Sequence, residues 1–432
     1  MTPREFLKVY NYDKRLITGG YYSQQPVSVE PGDRVGVVMM NLGGPMKEED
    51  VEPFLYNLFM DPAIIDIPVP KRPRHWLSRL ISRKRAKFVG EDYKMIGGNS
   101  PINQLTREQA EALESRLNAR YGPITGATFH TYVAMRYWLP SSEDCAEQMD
   151  ADGIDKVVLL PLYPHYSKTT TGASLVYLKA LEEAGEMTPR PTSLVYEYAR
   201  HPYFAQAISE RIDEGLQRFS HGVRDRVHLL FSAHGTPVKE MKQRRDPYCC
   251  LVHSTVQSVM DLRAKREDRP FHVAFQSKVG PAEWLTPSTP GKLEELGEEG
   301  VNAVLVIPVA FVTDHIETAY ELDIEVREEA EEAGIEHYEV TCGLNSHPLF
   351  IEALAEAVAA QMSSTRVTEG DGAAAALPRP IPSLPRHKSK NRTVRCHQCL
   401  CITEAHCWDQ ARVVSEPAIR ADISVRRDRD AA

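Results

Sequence analysis

The chain has 432 residues, 42% hydrophobic and 26% charged, enough for two compact cores and a tail and unlike a disordered or fibrous composition. A net charge of −9 gives no global reason to bind polyanions, so no nucleic-acid partner is expected. No stretch is long and apolar enough to span a bilayer, and the opening MTPREFLKVYNYDKR lacks the apolar segment of a signal peptide, so a cytoplasmic location is expected.

In chain order, residues 1–33 read as an N-terminal extension, and VGVVMMNL (35–42) as the first buried strand, closing in Asn41, Leu42 and a Gly43-Gly44-Pro45 turn. The apolar run 54–60 follows, and then KRPRHWLSRLISRKRAK (71–87), basic throughout and carrying Trp76, Leu80 and Ile81 at near-helical spacing. Residues 54–87 could rest on an anionic membrane or touch a hydrophobic substrate, or be a core helix followed by a solvated basic one. The stretch 106–121 is predicted helical, with Thr106 as N-cap and Gln109 three residues on.

Further strand-length runs are FHTYVAM (129–135), KVVLLPLY (156–163), SLVYEY (193–198), VHLLFSA (227–233), FHVAFQS (271–277) and AVLVIPVAF (303–311). Helical patterns separate them, at 143–152, 174–185, 202–219, 251–266 and 317–333. Continuous apolar strands alternating with amphipathic helices predict an α/β fold of two similar doubly wound halves with parallel sheets, 34–185 and 186–362. Residues 363–395, rich in Ala, Pro, Ser and basic side chains, read as a flexible linker, and 396–432 as a cysteine-bearing tail.

In such sheets ligands sit beyond the carboxyl ends of the strands. There the sequence places Tyr163 and His165, His234, and the group Asp314, His315 and Glu317. At the α-helical pitch, Asp314, Glu317, Glu321, Glu325 and Glu328 form one stripe of hard oxygen donors, which could pass a divalent cation or take up protons. An imidazole at 234 opposite His315 and Glu317 would make a set of bases and metal ligands. TTTGAS (169–174) has the position of a phosphate turn but not the lysine and paired glycines of a P-loop, and no nucleophile elbow is visible. Cys396, Cys399, Cys401 and Cys407, spaced C-x₂-C-x-C-x₅-C, form a metal-binding pattern that both zinc and a [2Fe–2S] cluster could use.

The motifs NLGGP (41–45), YKMIGGNSPI (93–102), MRYWLP (135–140), YPHYSKTTTGASL (163–175), LLFSAHGTP (229–237), FQSKVGPAEWLTP (275–287) and PVAFVTDHIETAYELDIE (308–325) together resemble the ferrochelatase family over about residues 35–360. The resemblance implies insertion of Fe²⁺ into a porphyrin, protoporphyrin IX or alternatively coproporphyrin III. It makes His234 and Glu317 the bases or terminal metal ligands, supported by Asp314, His315 and Glu321. Leu42, Arg136, Tyr137, Tyr163, Trp284 and Phe311 would line the porphyrin pocket, with 54–60 as its apolar lip. The resemblance further implies a C-terminal [2Fe–2S] cluster. Where the animal-type pattern draws one cluster ligand from the main body this chain has Lys168, and Cys401 supplies the fourth thiol within the tail. Monomer and homodimer both remain open, as does peripheral contact with the inner membrane.

Overall fold

The computed structural model describes residues 22–65, 70–244, 246–263, 269–278, 280–364 and 377–378. Two four-stranded parallel sheets dominate. In the first, β2 (Arg34–Asn41), β3 (Thr128–Met135), β4 (Lys156–Pro161) and β5 (Thr192–Leu194) lie in the order β3-β2-β4-β5. In the second, β6 (His228–His234), β7 (Phe271–Gln276), β8 (Ala303–Pro308) and β9 (His337–Val340) lie in the order β7-β6-β8-β9. The strand order is the same in both, so the halves repeat one topology.

The central strands are buried along almost their whole length, which is why they read as unbroken apolar runs: helices cover both faces and leave no polar side to alternate with. Because β5 pairs with β4, the first sheet extends past residue 185, and the predicted boundary moves into the segment after Leu194. The predicted strand 193–198 shortens to three residues. β9 and the helix Pro348–Ala359 were not anticipated, since β9 alternates buried and half-buried residues and lacks the apolar run of its neighbours.

The halves are joined rather than merely adjacent. β1 (Val27–Val29) pairs with β10 (Met362–Ser364), bringing opposite ends of the described body together. Helix Pro348–Ala359 packs on helices Ile102–Arg120 and Pro202–Leu216, and Glu352 and Glu356 pair with Arg116 and Arg120. One hydrophobic cluster runs from Val37 and Leu113 through Leu229 to Leu354. Leu377, within the predicted linker, is half-buried against that cluster. The four tail cysteines lie outside the described residues.

Two expectations about helices are corrected. Helix Ile102–Arg120 begins four residues before Thr106, so Thr106 is not a cap; it is buried inside the helix and accepts from Asn41 Nδ2 at 3.0 Å. The segment Glu317–Glu325 winds as a π-helix before continuing as the α-helix Val326–Glu332. Its i→i+5 bonds widen the turn, so the stripe drawn at α-helical pitch does not hold there.

Candidate active site

In each sheet the order reverses beside the first strand of the half, leaving a crevice at the carboxyl ends of β2 and β4 and again at those of β6 and β8. Most of the predicted site residues follow these four strands, and the two edges carry different chemistry.

The edge after β6 and β8 is ionisable. His234 is the last residue of β6. Its Nδ1 lies 2.6 Å from Gly235 O, and since a carbonyl only accepts, that nitrogen carries the proton and Nε2 presents a lone pair. His315 repeats the arrangement, with Nδ1 3.1 Å from Thr313 O. Glu317 Oε2 sits 3.8 Å from His234 Nε2 and 3.9 Å from His315 Nε2. That oxygen is buried and makes no hydrogen bond among the described residues. Burial lowers the pKa of both imidazoles and raises that of Glu317. The rings are therefore neutral near pH 7, and the two spacings are not standing salt bridges. Phe311 contacts both imidazoles, with ring centroids 6.1 Å from His234 and 4.5 Å from His315.

Glu321 lies one turn outward. Ser277 Oγ donates to its carboxylate at 2.7 and 2.8 Å, and Ser277 itself is held at φ 64°, a left-handed backbone uncommon for a residue other than glycine. Burial and the neighbouring Glu317 raise the Glu321 pKa to about 7. Glu325 and Glu328 are exposed, so carboxylates step from the half-buried Glu317 to solvent. Asp314 departs from the expected stripe: Thr318 Oγ1, Gly343 N and Asn345 Nδ2 donate to it at 3.0, 2.9 and 2.7 Å. It braces the loop and does not face the gap.

Small residues allow this close assembly. A Cβ on Gly235 would stand 2.7 Å from Gln276 O and 3.1 Å from the Trp284 ring, so only glycine lets Trp284 close over the residue beside His234. Tyr248 donates to His234 O at 2.9 Å.

The edge after β2, β3 and β4 is apolar with its charges cancelled. Leu42, Tyr137 and Trp138 cluster with Val51, Phe54 and Phe59 of helix Val51–Met60, and Ile316 of the second half packs into the same cluster. Ile316 thus sets Glu317 against this wall. Arg136 is 3% exposed and pairs with the fully buried Asp61; its guanidinium also lies 4.8 and 4.0 Å from the Tyr137 and Tyr177 rings. Tyr137 donates to Asp61 at 2.8 Å. The Arg136 guanidinium is thus ion-paired within the first half through Nη2. Tyr163, near enough for the Arg136 charge to act on its hydroxyl, is half-buried.

His165 is buried against Thr255 at 2.8 Å, its pKa lowered to about 3 by desolvation, and takes no part in the site. Ahead of the TTTGAS turn, Asp246 accepts from Ser167 Oγ and Lys168 N, so an internal carboxylate uses donors a phosphate would need. Asp61 and Ser277 were missed: a lone acid after an apolar run and a serine after a strand carry no distinctive spacing.

A sheet pair of repeated topology, with imidazoles and carboxylates at one strand edge and an apolar wall at the other, defines a chelatase-type α/β protein. The ferrochelatase family profile matches residues 34–362. Curated relatives named ferrochelatase agree: that of Gloeothece citriformis is 42% identical over 341 residues, covering 78% of this chain and 84% of the relative. That of Synechococcus elongatus is 41% identical over 358 residues, covering 82% and 89%, and that of a Synechocystis species 43% over 333 residues, covering 75% and 82%. Among solved structures, SirB from Bacillus subtilis with Fe³⁺ is a remote likeness, with 9% identity and a TM-score of 0.46 over 77% of this chain and 96% of that one. The chain belongs to the ferrochelatase family.

Proposed function

We propose that this enzyme inserts Fe²⁺ into protoporphyrin IX to form protohaem, with His234 and Glu317 at the point of metal entry. The observation that carries this reading is the buried, unpartnered Glu317 Oε2 between two Nε2 lone pairs. A porphyrin keeps two pyrrolic protons where the metal must go, so insertion needs acceptors for two protons and donors that replace part of the hydration shell of Fe²⁺. In the balanced reaction the free porphyrin and Fe²⁺ give the ferrous porphyrin and two protons. Imidazole and carboxylate supply both functions, and Glu321, near its titration point at neutral pH, hands protons outward to Glu325.

Protoporphyrin is favoured over coproporphyrin III by the wall. Leu42, Phe54, Phe59 and Tyr137 are apolar or buried, and Arg136 is already paired with Asp61, which suits a substrate with fewer carboxylates. Ferrous insertion run against both porphyrins tests it: faster turnover of coproporphyrin III would overturn the assignment.

Helix Lys71–Met95 exposes Trp76 (67%), Leu80 (52%) and Phe88 (68%) amid basic residues, and no described helix is long and apolar enough to cross a membrane. This pattern supports peripheral contact with an anionic bilayer beside the apolar lip. Sedimentation with anionic vesicles tests it: Trp76→Ser should weaken binding about ten-fold, as expected for losing one buried large side chain.

In the tail, four soft thiolates within one short loop fit a [2Fe–2S] cluster held by Cys396, Cys399, Cys401 and Cys407, complete without a ligand from the body. Anaerobically purified protein should contain iron and acid-labile sulfide in equal amounts. Zinc in a colourless protein would reject the cluster.

A further inference from the structure

Helix Ile102–Arg120, in the first half, turns three polar side chains inward: Asn103, Thr106 and Gln109, at 4%, 0% and 0% exposure. Burying amide and hydroxyl groups is costly unless each finds partners, and the partners here follow a pattern. Asn103 donates to Gly44 O at 2.6 Å, and Thr106 accepts from Asn41 at 3.0 Å; both hold the loop after β2. Gln109 reaches across to the other half. Its Oε1 accepts from Thr313 Oγ1 at 3.1 Å and its Nε2 donates to Asn345 O at 3.0 Å.

Those two residues carry the ionisable edge. Thr313 O fixes the Nδ1 proton of His315. Asn345, at φ 46°, accepts from Asp314 N and donates to the Asp314 carboxylate, which receives Thr318 Oγ1 one residue past Glu317. One amide therefore ties the helix that sets the β2 loop to the loop that aims His315 and Glu317.

Building on the assignment of His315 and Glu317 to metal insertion, we propose that Gln109 is a positioning residue for the reaction, holding the ionisable edge in register with the apolar wall across the two halves. Catalytic geometry tolerates little displacement, and a shift of about 1 Å can cost about 100-fold in rate. Gln109→Leu keeps the volume and removes both bonds. It should lower kcat for ferrous insertion about 10- to 100-fold, leave the porphyrin KM within about two-fold, and move the midpoint of the pH–kcat profile. Gln109→Glu, which sets a buried carboxylate against Asn345 O, should lose at least as much. Thr313→Val combined with Gln109→Leu should be no worse than the poorer single variant, because both cut one link.

Wild-type kcat and pH profile in folded Gln109→Leu would overturn the proposal, as would a loss of kcat that only tracks the unfolded fraction. Should Gln109→Leu not fold, Thr313→Val, which cuts the same link from the other side, decides by the same readouts. His234→Ala run alongside separates the two levels: full turnover there rejects the site itself, whereas an inactive His234→Ala beside an unaltered Gln109→Leu rejects only the positioning role.

Discussion

The strand edge after β2, β3 and β4 and the edge after β6 and β8 come from halves with the same strand order, yet one has its charge locked away and the other leaves its charge unresolved. In the first, Asp61 takes the Arg136 guanidinium and the Tyr137 hydroxyl, and the remainder of the wall is hydrocarbon and aromatic. In the second, Glu317 Oε2 is left without a hydrogen-bond donor between two neutral imidazoles. The ion pair at the first edge holds structure, whereas Glu317 Oε2 is left open to a further partner. The topology is common to both edges, and the function follows the side chains placed on it.

If that contrast is right, the largest effect on turnover comes from the second edge. His234→Ala and Glu317→Gln should each lower kcat about 10²- to 10⁴-fold, the range for a proton acceptor, with little change in thermal unfolding; loss of porphyrin fluorescence with Fe²⁺ measures it. Asp61→Asn should do the reverse. It leaves Arg136 buried without its carboxylate and should cost about 3–5 kcal/mol in denaturant unfolding. Equal loss of stability in both sets would erase the distinction between the edges.

A subtler break concerns Glu321. Its pKa of about 7 in the folded chain stands above the usual 4.5 of glutamate, so between those pH values the folded chain holds a proton that the unfolded chain has released. Stability therefore falls as pH rises through that window, and Glu321→Gln should remove the slope, as unfolding measured at several pH values would reveal. In turnover, the acid limb near pH 7 should flatten in the same variant, since the ionised carboxylate is the form that accepts protons. The smallest effect belongs to the ion pairs between the halves. Arg116→Ala, at a partly exposed pair with Glu352, should cost about 0.2–1 kcal/mol and leave the pH profile of turnover unchanged.

Much of this was legible along the chain. The strands at 35–42, 227–233 and 303–311 announce themselves because both faces are buried, and His234, His315 and Glu317 stand where apolar runs break at strand ends. Asp61, Ser277 and Gln109 did not announce themselves. Their partners lie 75, 44 and 204 residues away, and a single acid, serine or glutamine has no local period to betray it. Gln109 even fitted a helix cap, because i→i+3 spacing is the same for a capping box and for one face of a helix interior.

By itself the sequence determined the α/β class, the repeat of two halves and which residues stand at the strand tips, since strand burial and helical period are local properties of neighbouring side chains. Tertiary structure alone decided that Asp314 braces the loop while Glu317 faces the gap, that Arg136 is spent on Asp61, and that the acidic segment widens into a π-helix. Those outcomes depend on which donors long-range packing brings to each buried charge, and no run of adjacent residues encodes that choice.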